Sequence, residues 1–332
     1  MSSRKFVVLL LVTVMAFVVF GAFGSAAQAK FRVAMVTDIG GLGDQSFNDA
    51  AWRGLQRADK ELGVDVKVVE SKVMGDYETN LRSLADQKYD MIWAIGFLMT
   101  DALSTVAQQY PNTKFGIIDS VVDQPNVMSV TFKEEEGSFL VGLIAGSLTK
   151  KNKVGFIGGM EFPLIIKFEV GFRAGVAAAN KKIDVNDVLV GYTGKFDDPG
   201  KGKELAMTQF SQGADVIYSA AGACGIGAIE AAKEKKFYAI GVDSDQSHLA
   251  PNNVAASMIK RVDVGVFKGI EAFVKGKFKA GLTVMGLAQD GVGVAYSPGV
   301  KVPDSVKKLV DSWDKKITSG QYKVPSTREE LK

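Results

Sequence analysis

The sequence predicts an α/β fold with two lobes, in which parallel sheets are flanked by helices and a hinged cleft separates the lobes. Three observations lead to this prediction. Short β-rich runs alternate with helical runs, one strand–helix–strand unit occurs twice, and 303 residues follow a leader-like segment of 29 residues. Alternating strands and helices are typical of parallel sheets covered on both faces. A chain of this length usually divides into two domains.

The first 29 residues have the layout of a secretory signal peptide. Arg4 and Lys5 form a basic start, residues 6–24 are almost wholly apolar, and residues 27–29 read Ala-Gln-Ala. This pattern predicts cleavage near Ala29 and a mature protein in the periplasm or outside the cell. The alternative is an uncleaved membrane anchor, because the apolar run is about long enough to span a bilayer. No lipobox cysteine lies near the predicted cut, so we expect no lipid anchor there.

The mature chain is almost neutral. Removing residues 1–29 takes away two basic residues and no acidic one, which leaves 38 basic against 37 acidic residues. Such a balance gives no bulk electrostatic reason to bind nucleic acid or a membrane surface, and we expect no nucleic-acid partner. The single cysteine permits no intrachain disulfide, so an apolar core must hold each lobe.

Predicted strands and helices alternate through both halves of the mature chain. In the first half the predicted strands are residues 31–36, 64–69, 91–95, 115–118 and 127–130, and the predicted helices are 48–62 and 77–87. The second half begins with predicted strands 154–157 and 188–192, and with predicted helices 167–180 and 204–212. A later predicted strand, 254–259, precedes a predicted helix over 264–274.

Residues 90–119 and 215–243 are the clearest internal match. Each segment opens with aspartate, an apolar residue, isoleucine and an aromatic residue, and each closes on aspartate after 29 and 28 residues, respectively. We interpret this match as a duplicated lobe. The alternative is that any two α/β units look alike.

The duplication leads to a prediction of the domain limits. Lobe one is predicted to comprise residues 30–148 and about 263–282, and lobe two residues 149–262 and about 283–332. The chain is expected to cross between the lobes within 129–155, near 260–263 and within 283–289. Several such crossings form a hinge.

Ligands of open parallel sheets bind beyond the carboxyl ends of the strands, so the residues after strands are the candidates for a binding site. The segment 37–49 follows the first strand, and Asp38 is placed where that strand delivers a side chain to the cleft. Phe47 either faces the cleft or packs against its own lobe. Ser46 or Asn48 can cap the following helix. We assign an ordinary turn to Gly40, Gly43, Ser46 and Asp49.

Four other strand ends carry polar or glycine residues. They are Asp119 with Ser120, Gly222, Asp243 with Ser244 and Asp245, and Lys260. Each alone is more often a cap or a solvated loop residue. Together they predict a cleft lined by carboxylates, backbone amides and one ammonium. Carboxylates accept hydrogen bonds from hydroxyls and lysine donates them, so the cleft suits a neutral hydroxylated ligand and repels a phosphate.

The segment from Asp38 to Asn48 carries the most specific motif in the chain. It reads Asp-x-Gly-Gly-x-x-Asp-x-Ser-Phe-Asn, and it is supported by Gly-Val-Asp-Ser-Asp at 241–245 and Ser-Met-Ile-Lys at 257–260. With these motifs the chain resembles, over residues 31–325, the basic membrane protein family of ABC-transporter substrate-binding lipoproteins. Characterised members of that family include purine-nucleoside receptors. The resemblance implies a type I periplasmic-binding fold, a small-molecule ligand and a membrane permease as partner.

The resemblance also assigns roles to residues. It implies that Asp38 and Asn48 face the base and that Phe47 stacks on it. It also implies that Asp243, Gly222 and Lys260 hold the ribose. The predicted ligand-binding residues are Asp38, Phe47, Asn48, Asp119, Gly222, Asp243 and Lys260. We expect Asp243 to be the nearest counter-charge of Lys260. The second stacking aromatic of some members has no clear counterpart, because residues 220–222 read Ala-Ala-Gly, and Phe168 or Phe162 are the candidates to replace it.

Catalytic motifs are few in this sequence. One histidine and one cysteine cannot build a Cys/His zinc site, and no Gly-x-Ser-x-Gly, Gly-x-Gly-x-x-Gly or Walker A motif occurs. His248 is predicted to be an exposed loop residue and Cys224 a buried small one. We therefore predict a binding protein, not an enzyme, with no cofactor and no metal. A nucleoside- or sugar-processing hydrolase that uses a Ser-His-Asp triad through His248 stays the alternative.

Two further classes of protein are alternatives to a transport protein. A structural or adhesive surface protein would carry low-complexity stalks or short repeats, and the sequence has neither. An exported sensor for another small hydroxylated ligand would have the same two lobes as a transport protein. The sequence leaves transport and sensing open.

Overall fold

The computed structural model describes residues 30–331, so the predicted signal peptide, residues 1–29, lies outside the described residues. Twelve strands within the described part are β1 (Arg32–Val36), β2 (Asp65–Val69), β3 (Met91–Ile95), β4 (Lys114–Ile118), β5 (Val127–Phe132), β6 (Val154–Gly158), β7 (Leu189–Tyr192), β8 (Val216–Ala220), β9 (Tyr238–Asp243), β10 (Val254–Lys260), β11 (Gly281–Met285) and β12 (Val292–Tyr296).

Nine α-helices connect these strands in the same part of the chain. They are α1 (Phe47–Leu62), α2 (Asp76–Asp86), α3 (Thr100–Gln109), α4 (Glu134–Leu148), α5 (Pro163–Ala179), α6 (Pro199–Ser211), α7 (Ala223–Lys235), α8 (Val262–Val274) and α9 (Asp304–Thr318). None of the helices in residues 30–331 is long and apolar enough to cross a membrane.

The strands form two six-stranded sheets with the same arrangement. The order is β11-β5-β4-β3-β1-β2 in the first sheet and β12-β10-β9-β8-β6-β7 in the second. Every pair is parallel except β10 with β12. The prediction of a two-lobed α/β fold with parallel sheets flanked by helices is therefore confirmed.

The strands at the centre of each sheet are buried over their whole length. Strands β3, β6 and β8 have no exposed residue, whereas β2, at an edge, is only half-buried. Helices cover both faces of the central strands, which is why these strands read as continuous apolar runs rather than as an alternating pattern.

Three helices begin differently from the prediction. Helix α5 begins at Pro163, four residues before the predicted start at residue 167. Helix α1 is capped by Asp44, whose carboxylate accepts from the backbone N–H groups of Ser46, Asn48 and Asp49, and neither Ser46 nor Asn48 makes the cap. Helix α6 begins at Pro199, five residues before the predicted start at residue 204. Asp198 provides its cap by accepting from the backbone N–H of Lys201 at 3.1 Å.

The chain passes from one sheet to the other three times. The passages lie between β5 and α4, between β10 and α8, and between β11 and β12. Helix α8 packs against α1 beside the first sheet. The predicted lobe limit near residue 282 falls inside β11, whose five residues all pair with β5.

Helix α4 differs in position from the predicted domain limits. Residues 134–148 were expected in lobe one, but α4 makes its main contacts with α5, β10 and α9, beside the second sheet. The reason is the close approach of α4 and α5. A Cβ added at Gly142 would meet the backbone of Phe172, and one added at Gly171 would meet the backbone of Glu135. These glycines let the two helices touch backbone to backbone.

Candidate ligand-binding site

A pocket lies between the lobes, where the carboxyl ends of the parallel strands of both sheets face each other. The structure brings all seven sequence-predicted residues to this pocket. They are Asp38, Phe47, Asn48, Asp119, Gly222, Asp243 and Lys260. The same lining also contains Gly40, Asp44, Gly96, Phe97, Leu164, Ile165, Phe168, Phe196, Ala220, Ala221 and Val242.

At one end of the pocket, Asp38 and Asn48 hold each other in place. The Oδ1 atom of Asp38 accepts from the backbone N–H of Gly40 at 2.9 Å and from Asn48 Nδ2 at 2.8 Å. Asn48 Nδ2 also donates to Asp44 Oδ2 at 3.2 Å. Burial raises the pKa of Asp38 to about 6, although the hydrogen bonds from Asn48 and Gly40 lower it.

The acceptor oxygen of Asn48 is unused in this arrangement. Asn48 is 2% exposed, and its Oδ1 atom has no hydrogen-bond partner among the described residues. The amide orientation follows from its two carboxylate neighbours, because only the NH₂ group can donate to them. A buried acceptor without a partner is costly, so this atom is available to a bound ligand.

A buried ion cluster adjoins the same pocket. Lys260 is 2% exposed, and its Nζ lies 2.6 Å from Asp119 Oδ2 and 3.0 Å from Glu134 Oε1. Burial opposes the charged form, but the carboxylates of Asp119, Glu134 and Asp243 raise the pKa of Lys260. The expectation that Asp243 is the nearest counter-charge of Lys260 is wrong, because Asp119 and Glu134 make the direct contacts.

Sequence reasoning missed Glu134. This residue opens helix α4 two positions after the end of β5, and it is fully buried. Its other oxygen lies 3.3 Å from Lys167 Nζ. The residues Glu134, Glu135 and Glu136 follow a predicted strand at a predicted crossing between the lobes. Three adjacent acidic residues at such a place indicate that cationic side chains lie nearby, so this pattern could have identified Glu134.

Aromatic rings surround the ammonium of Lys260. Its Nζ lies 5.3 Å from the ring centroid of Phe47, 5.1 Å from that of Phe132 and 5.4 Å from that of Phe168. Distances below about 6 Å allow a cation–π attraction. The charge of Lys260 is therefore stabilised by rings as well as by carboxylates.

Asp119 and Asp243 hold equivalent positions in the two lobes. Asp119 directly follows β4 with φ +68°, and Asp243 ends β9 with φ +62°. Left-handed backbone at non-glycine residues is uncommon and clusters at functional sites. Asp119 Oδ1 is buried without a hydrogen-bond partner in residues 30–331. Asp243 Oδ2 accepts from the hydroxyl of Ser46 across the cleft.

The apolar wall of the pocket differs from the prediction. Phe168, one of the two aromatic candidates, lines the pocket, whereas Phe162 is 45% exposed and packs on Phe97 with ring centroids 5.0 Å apart. Sequence reasoning missed Phe97 and Phe196, which also line the pocket. Phe97 lies two residues after β3, so a check of every strand end would have found it.

Two glycines create the space for Phe196. A Cβ at Gly159 would collide with the Phe196 ring, and a Cβ at Gly222 would lie 3.1 Å from the Phe196 carbonyl oxygen. Gly222 also has φ +56°, a conformation that glycine adopts readily. Gly222 therefore contributes backbone and space to the site rather than a side chain.

The lobes meet through polar contacts along one side of the pocket. Arg53 Nη2 donates to Ser244 Oγ at 2.7 Å, and Gln246 Nε2 donates to the carbonyl of Gln45 at 3.1 Å. His248 is exposed and its Nε2 lies 2.7 Å from Gln45 Oε1. The cleft is therefore closed, and His248 belongs to the contact between the lobes rather than to the pocket.

No group of three or more His, Cys, Asp or Glu side chains in the described range is arranged to hold a metal ion. Cys224 is buried at the start of α7, as expected for a small apolar residue. The pocket thus offers hydrogen-bond acceptors, one ammonium that is paired with carboxylates, and apolar surface. These groups are suited to binding a small polar molecule.

Comparison with known families identifies this architecture. Residues 31–328 match the family model described as "ABC transporter substrate-binding protein PnrA-like". The chain belongs to this family. The PnrA-like protein is therefore a solute-binding component of an ABC transporter, and its two sheets form the type I periplasmic-binding fold. Because the family consists of substrate-binding proteins, the prediction that the chain is not an enzyme is confirmed.

Individual relatives agree with the family assignment. The PnrA-like protein is 37% identical to the "CD4+ T-cell-stimulating antigen" of Listeria innocua, over 98% of this chain and 99% of the relative. It is also 37% identical to the "ABC transporter nucleoside-binding protein BmpA" of Lactococcus lactis, over 90% and 92% of the two chains. A solute-binding protein of Aeropyrum pernix has a similar structure, with TM-score 0.83, 31% identity and 90% and 95% coverage.

Proposed function

We propose that this substrate-binding protein takes up a purine nucleoside between its lobes and releases it unchanged to a membrane permease. The observation that carries the proposal is the pocket itself. Phenylalanine rings and buried hydrogen-bond acceptors without partners in the described residues line the same pocket. A flat aromatic base with a hydroxylated sugar is complementary to these two kinds of surface.

The phenylalanine rings are suited to the base. Phe47 enters from lobe one, and Phe168 and Phe196 enter from lobe two. A base stacked on aromatic side chains gains roughly 1–3 kcal/mol per base. In this proposal Asp38 and Asn48 meet polar atoms on the edge of the base, because both lie beside Phe47 at the same end of the pocket.

Two carboxylates of the pocket are suited to the ribose. Asp119 and Asp243 present carboxylate oxygens from opposite lobes, and Asp119 Oδ1 is buried without a partner in the described structure. Hydroxyl groups of a sugar donate to carboxylates in charge-assisted hydrogen bonds, each worth roughly 1.5–3 kcal/mol. Because the two carboxylates belong to different lobes, a sugar that binds both would hold the cleft closed.

Charge explains why a nucleotide would be excluded. The ammonium of Lys260 is already paired with Asp119 and Glu134, so their negative charges balance it before a phosphate could bind. Asp38, Asp44, Asp119 and Asp243 all line the pocket. A phosphate placed there would meet carboxylates at short range without a free cation.

The relative from Lactococcus lactis named "nucleoside-binding protein" supports the choice of ligand class. As a component of an ABC transporter, the protein acts outside the cytoplasm. We further propose that residues 1–29 are a signal peptide cleaved near Ala29. N-terminal sequencing of exported protein tests this, and retention of Met1 in a membrane fraction would overturn it.

Calorimetric titration of ligand-stripped protein tests the ligand proposal. We expect adenosine, inosine and guanosine to bind, free bases to bind ~100-fold more weakly or less, and the corresponding monophosphates not to bind. Mass spectrometry of the bound fraction should recover the nucleoside intact. The proposal fails if none of the purine nucleosides binds. The assignment of the sugar to Asp119 and Asp243 fails if adenine binds as tightly as adenosine.

A further inference from the structure

Within residues 30–331, Asp38 and Asn48 present free hydrogen-bond acceptors to the pocket and no free side-chain donor. Asp38 turns its Oδ1 toward the N–H of Gly40 and the amide of Asn48, so Oδ2 is the oxygen left for a ligand. Asn48 uses both hydrogens of its amide on Asp38 and Asp44 and leaves Oδ1 without a partner in the described residues. Asp44 accepts four hydrogen bonds, from three backbone N–H groups and from Asn48, and is saturated.

The two free acceptors are fixed in place by their surroundings. Asp38 is 8% exposed and Asn48 2% exposed, so neither side chain can turn to find another partner without breaking the bonds just described. Gly96 lies close to both Asp38 and Phe47. A Cβ added at Gly96 would lie 3.2 Å from Asp38 Oδ2 and 3.5 Å from the Phe47 ring. The free oxygen of Asp38 therefore lies beside the edge of that ring, where the edge of a stacked base would be.

We propose that this end of the pocket selects purine nucleosides whose base edge carries adjacent N–H donors, so that guanosine binds more tightly than inosine and adenosine. This inference rests on the proposed function, because it concerns the base of the same nucleoside. Guanine has an N1–H and an N2 amino group side by side, a pair that suits a carboxylate and a neighbouring carbonyl oxygen. Hypoxanthine has only the N1–H.

Adenine fits the same acceptors less well. Its N6 amino group can donate, but its N1 atom is an acceptor and would face the carboxylate of Asp38. Placing an acceptor against a buried acceptor leaves both without a hydrogen bond, which is costly in a site closed to water. The pKa of Asp38, raised by burial to about 6, leaves the carboxylate ionised at pH 8 and therefore unable to donate.

Asp38→Asn is the variant that should reverse the preference for guanosine over adenosine. The Oδ1 atom of asparagine can keep the bonds from Gly40 and Asn48, so the new NH₂ group takes the place of the free oxygen. The pocket then offers one donor from residue 38 and one acceptor from Asn48. Adenine matches that pair with N1 and N6, whereas guanine would bring its N1–H against the new donor.

Calorimetric titrations at pH 8 with guanosine, inosine and adenosine test the inference. In the wild type we expect guanosine to bind ~10-fold more tightly than inosine and ~10–100-fold more tightly than adenosine. In Asp38→Asn the guanosine affinity should fall ~100-fold, and adenosine should become the preferred ligand. Asp59→Asn is the matched control, because Asp59 is exposed on α1 outside the pocket lining and its replacement makes the same change in charge. Its affinity ratios should equal those of the wild type.

The wild-type titrations decide the matter even if Asp38→Asn fails to fold. Equal affinity for guanosine and adenosine, or a preference for adenosine, would overturn the inference and leave the proposed function intact. Unchanged ratios in a folded Asp38→Asn variant would also overturn it. Failure of all three nucleosides to bind would instead remove the proposed function on which the inference rests.

Discussion

The two lobes share one strand order but close their sheets differently. The last strand of the first sheet, β11, pairs parallel with β5, whereas β12 pairs antiparallel with β10. The chain reaches β11 through helix α8, which is long enough to return it to the start of a parallel strand. Only residues 286–291 separate β11 from β12. The chain therefore enters the second sheet where β10 ends, and β12 must run in the opposite direction.

The ligand site shows the same pattern of shared scaffold and different detail. Asp119 and Asp243 are equivalent aspartates with left-handed backbone, one in each lobe. The ends of β5 and β10 are also equivalent, yet one carries Phe132 and the other Lys260, and these two side chains lie 5.1 Å apart from ring centroid to Nζ. Duplication thus supplied two matching strand ends, and divergence made one apolar and the other cationic. The comparison leads to four tests, in descending order of expected effect.

The largest effect is expected from removing the aspartate of lobe two. Asp243→Ala should weaken nucleoside binding by about two to four powers of ten, because it removes a charge-assisted acceptor for the ribose. The measurement is calorimetry with guanosine and adenosine. Asp243 also accepts from Ser46 across the cleft, so Ser46→Ala serves as the control that removes this contact and keeps the carboxylate. Equal losses in the two variants would assign the effect to closure of the cleft rather than to the sugar.

The next effect concerns the cation that lobe one lacks. Lys260→Met should lower the free energy of unfolding by about 3–5 kcal/mol, because it leaves Asp119 buried without its cation and Glu134 with Lys167 alone. Urea unfolding followed by circular dichroism measures this. Lys233→Met, at an exposed position on α7, should change stability by less than about 0.5 kcal/mol. A Lys260→Met protein as stable as the wild type would show that the ion cluster does not hold the lobes together.

The third test varies pH and concerns Asp38. This aspartate lies two residues after β1, whereas Met160 lies two residues after the equivalent strand β6. Burial raises the pKa of Asp38 to about 6, above the ordinary value of 3.8, with further increases from Asp197 and Asp243. The folded state therefore binds more protons than the unfolded state, and this group's contribution to stability is lost as pH rises from about 4 through 6. Two pKa units correspond to roughly 3 kcal/mol.

Asp38→Asn should remove that dependence. The variant is expected to gain stability over the wild type at pH 8 by up to roughly 3 kcal/mol and to lose the advantage at pH 4. Thermal unfolding of both proteins across this range gives the difference, with Asp59→Asn as the reference for a change of charge at the surface. A constant difference between wild type and Asp38→Asn at every pH would contradict the expectation.

The smallest effect is expected from the aromatic side chains. Phe47→Ala should cost about 1–3 kcal/mol of nucleoside binding, the range for stacking of a base. Phe196→Ala is the corresponding variant in lobe two. It should weaken nucleoside binding by an amount in the same range if the Phe196 ring covers the second face of the base. Phe162→Ala is the control, since that ring is exposed and outside the lining of the pocket. If Phe162→Ala weakened nucleoside binding as much as Phe47→Ala, the base would have to stack on the exposed Phe162 ring and not inside the pocket.

Much of the architecture follows from local features of the sequence. Buried parallel strands require continuous apolar runs and helices require their own periodicity, so the alternation of the two was readable without any tertiary information. The match between residues 90–119 and 215–243 corresponds to equivalent parts of the two sheets, β3 to β4 and β8 to β9. The rule that ligands bind beyond strand ends, together with the family resemblance, then selected seven residues, all of which line one pocket.

Other features depended on which distant segments meet. The partners of Lys260 lie 141 and 126 positions away, at Asp119 and Glu134, and no local pattern distinguishes them from other acids. The place of α4 depends on glycines of α4 and α5 that touch only after folding. Phe196 reaches the pocket from a loop between β7 and α6 whose course the strand pattern does not specify.

By itself, the sequence determined the α/β class, the duplicated lobes and the strand ends that carry the candidate site, because these depend on residue spacing and on local burial. The tertiary structure alone decided the pairing of Lys260 with Asp119 and Glu134, the position of α4, the direction of β12 and the free acceptors of Asp38 and Asn48. These features arise from packing and from competition for hydrogen-bond partners between segments far apart in the chain. Such competition is settled only when the whole chain is folded, since each buried polar group must find its partner among all those within reach.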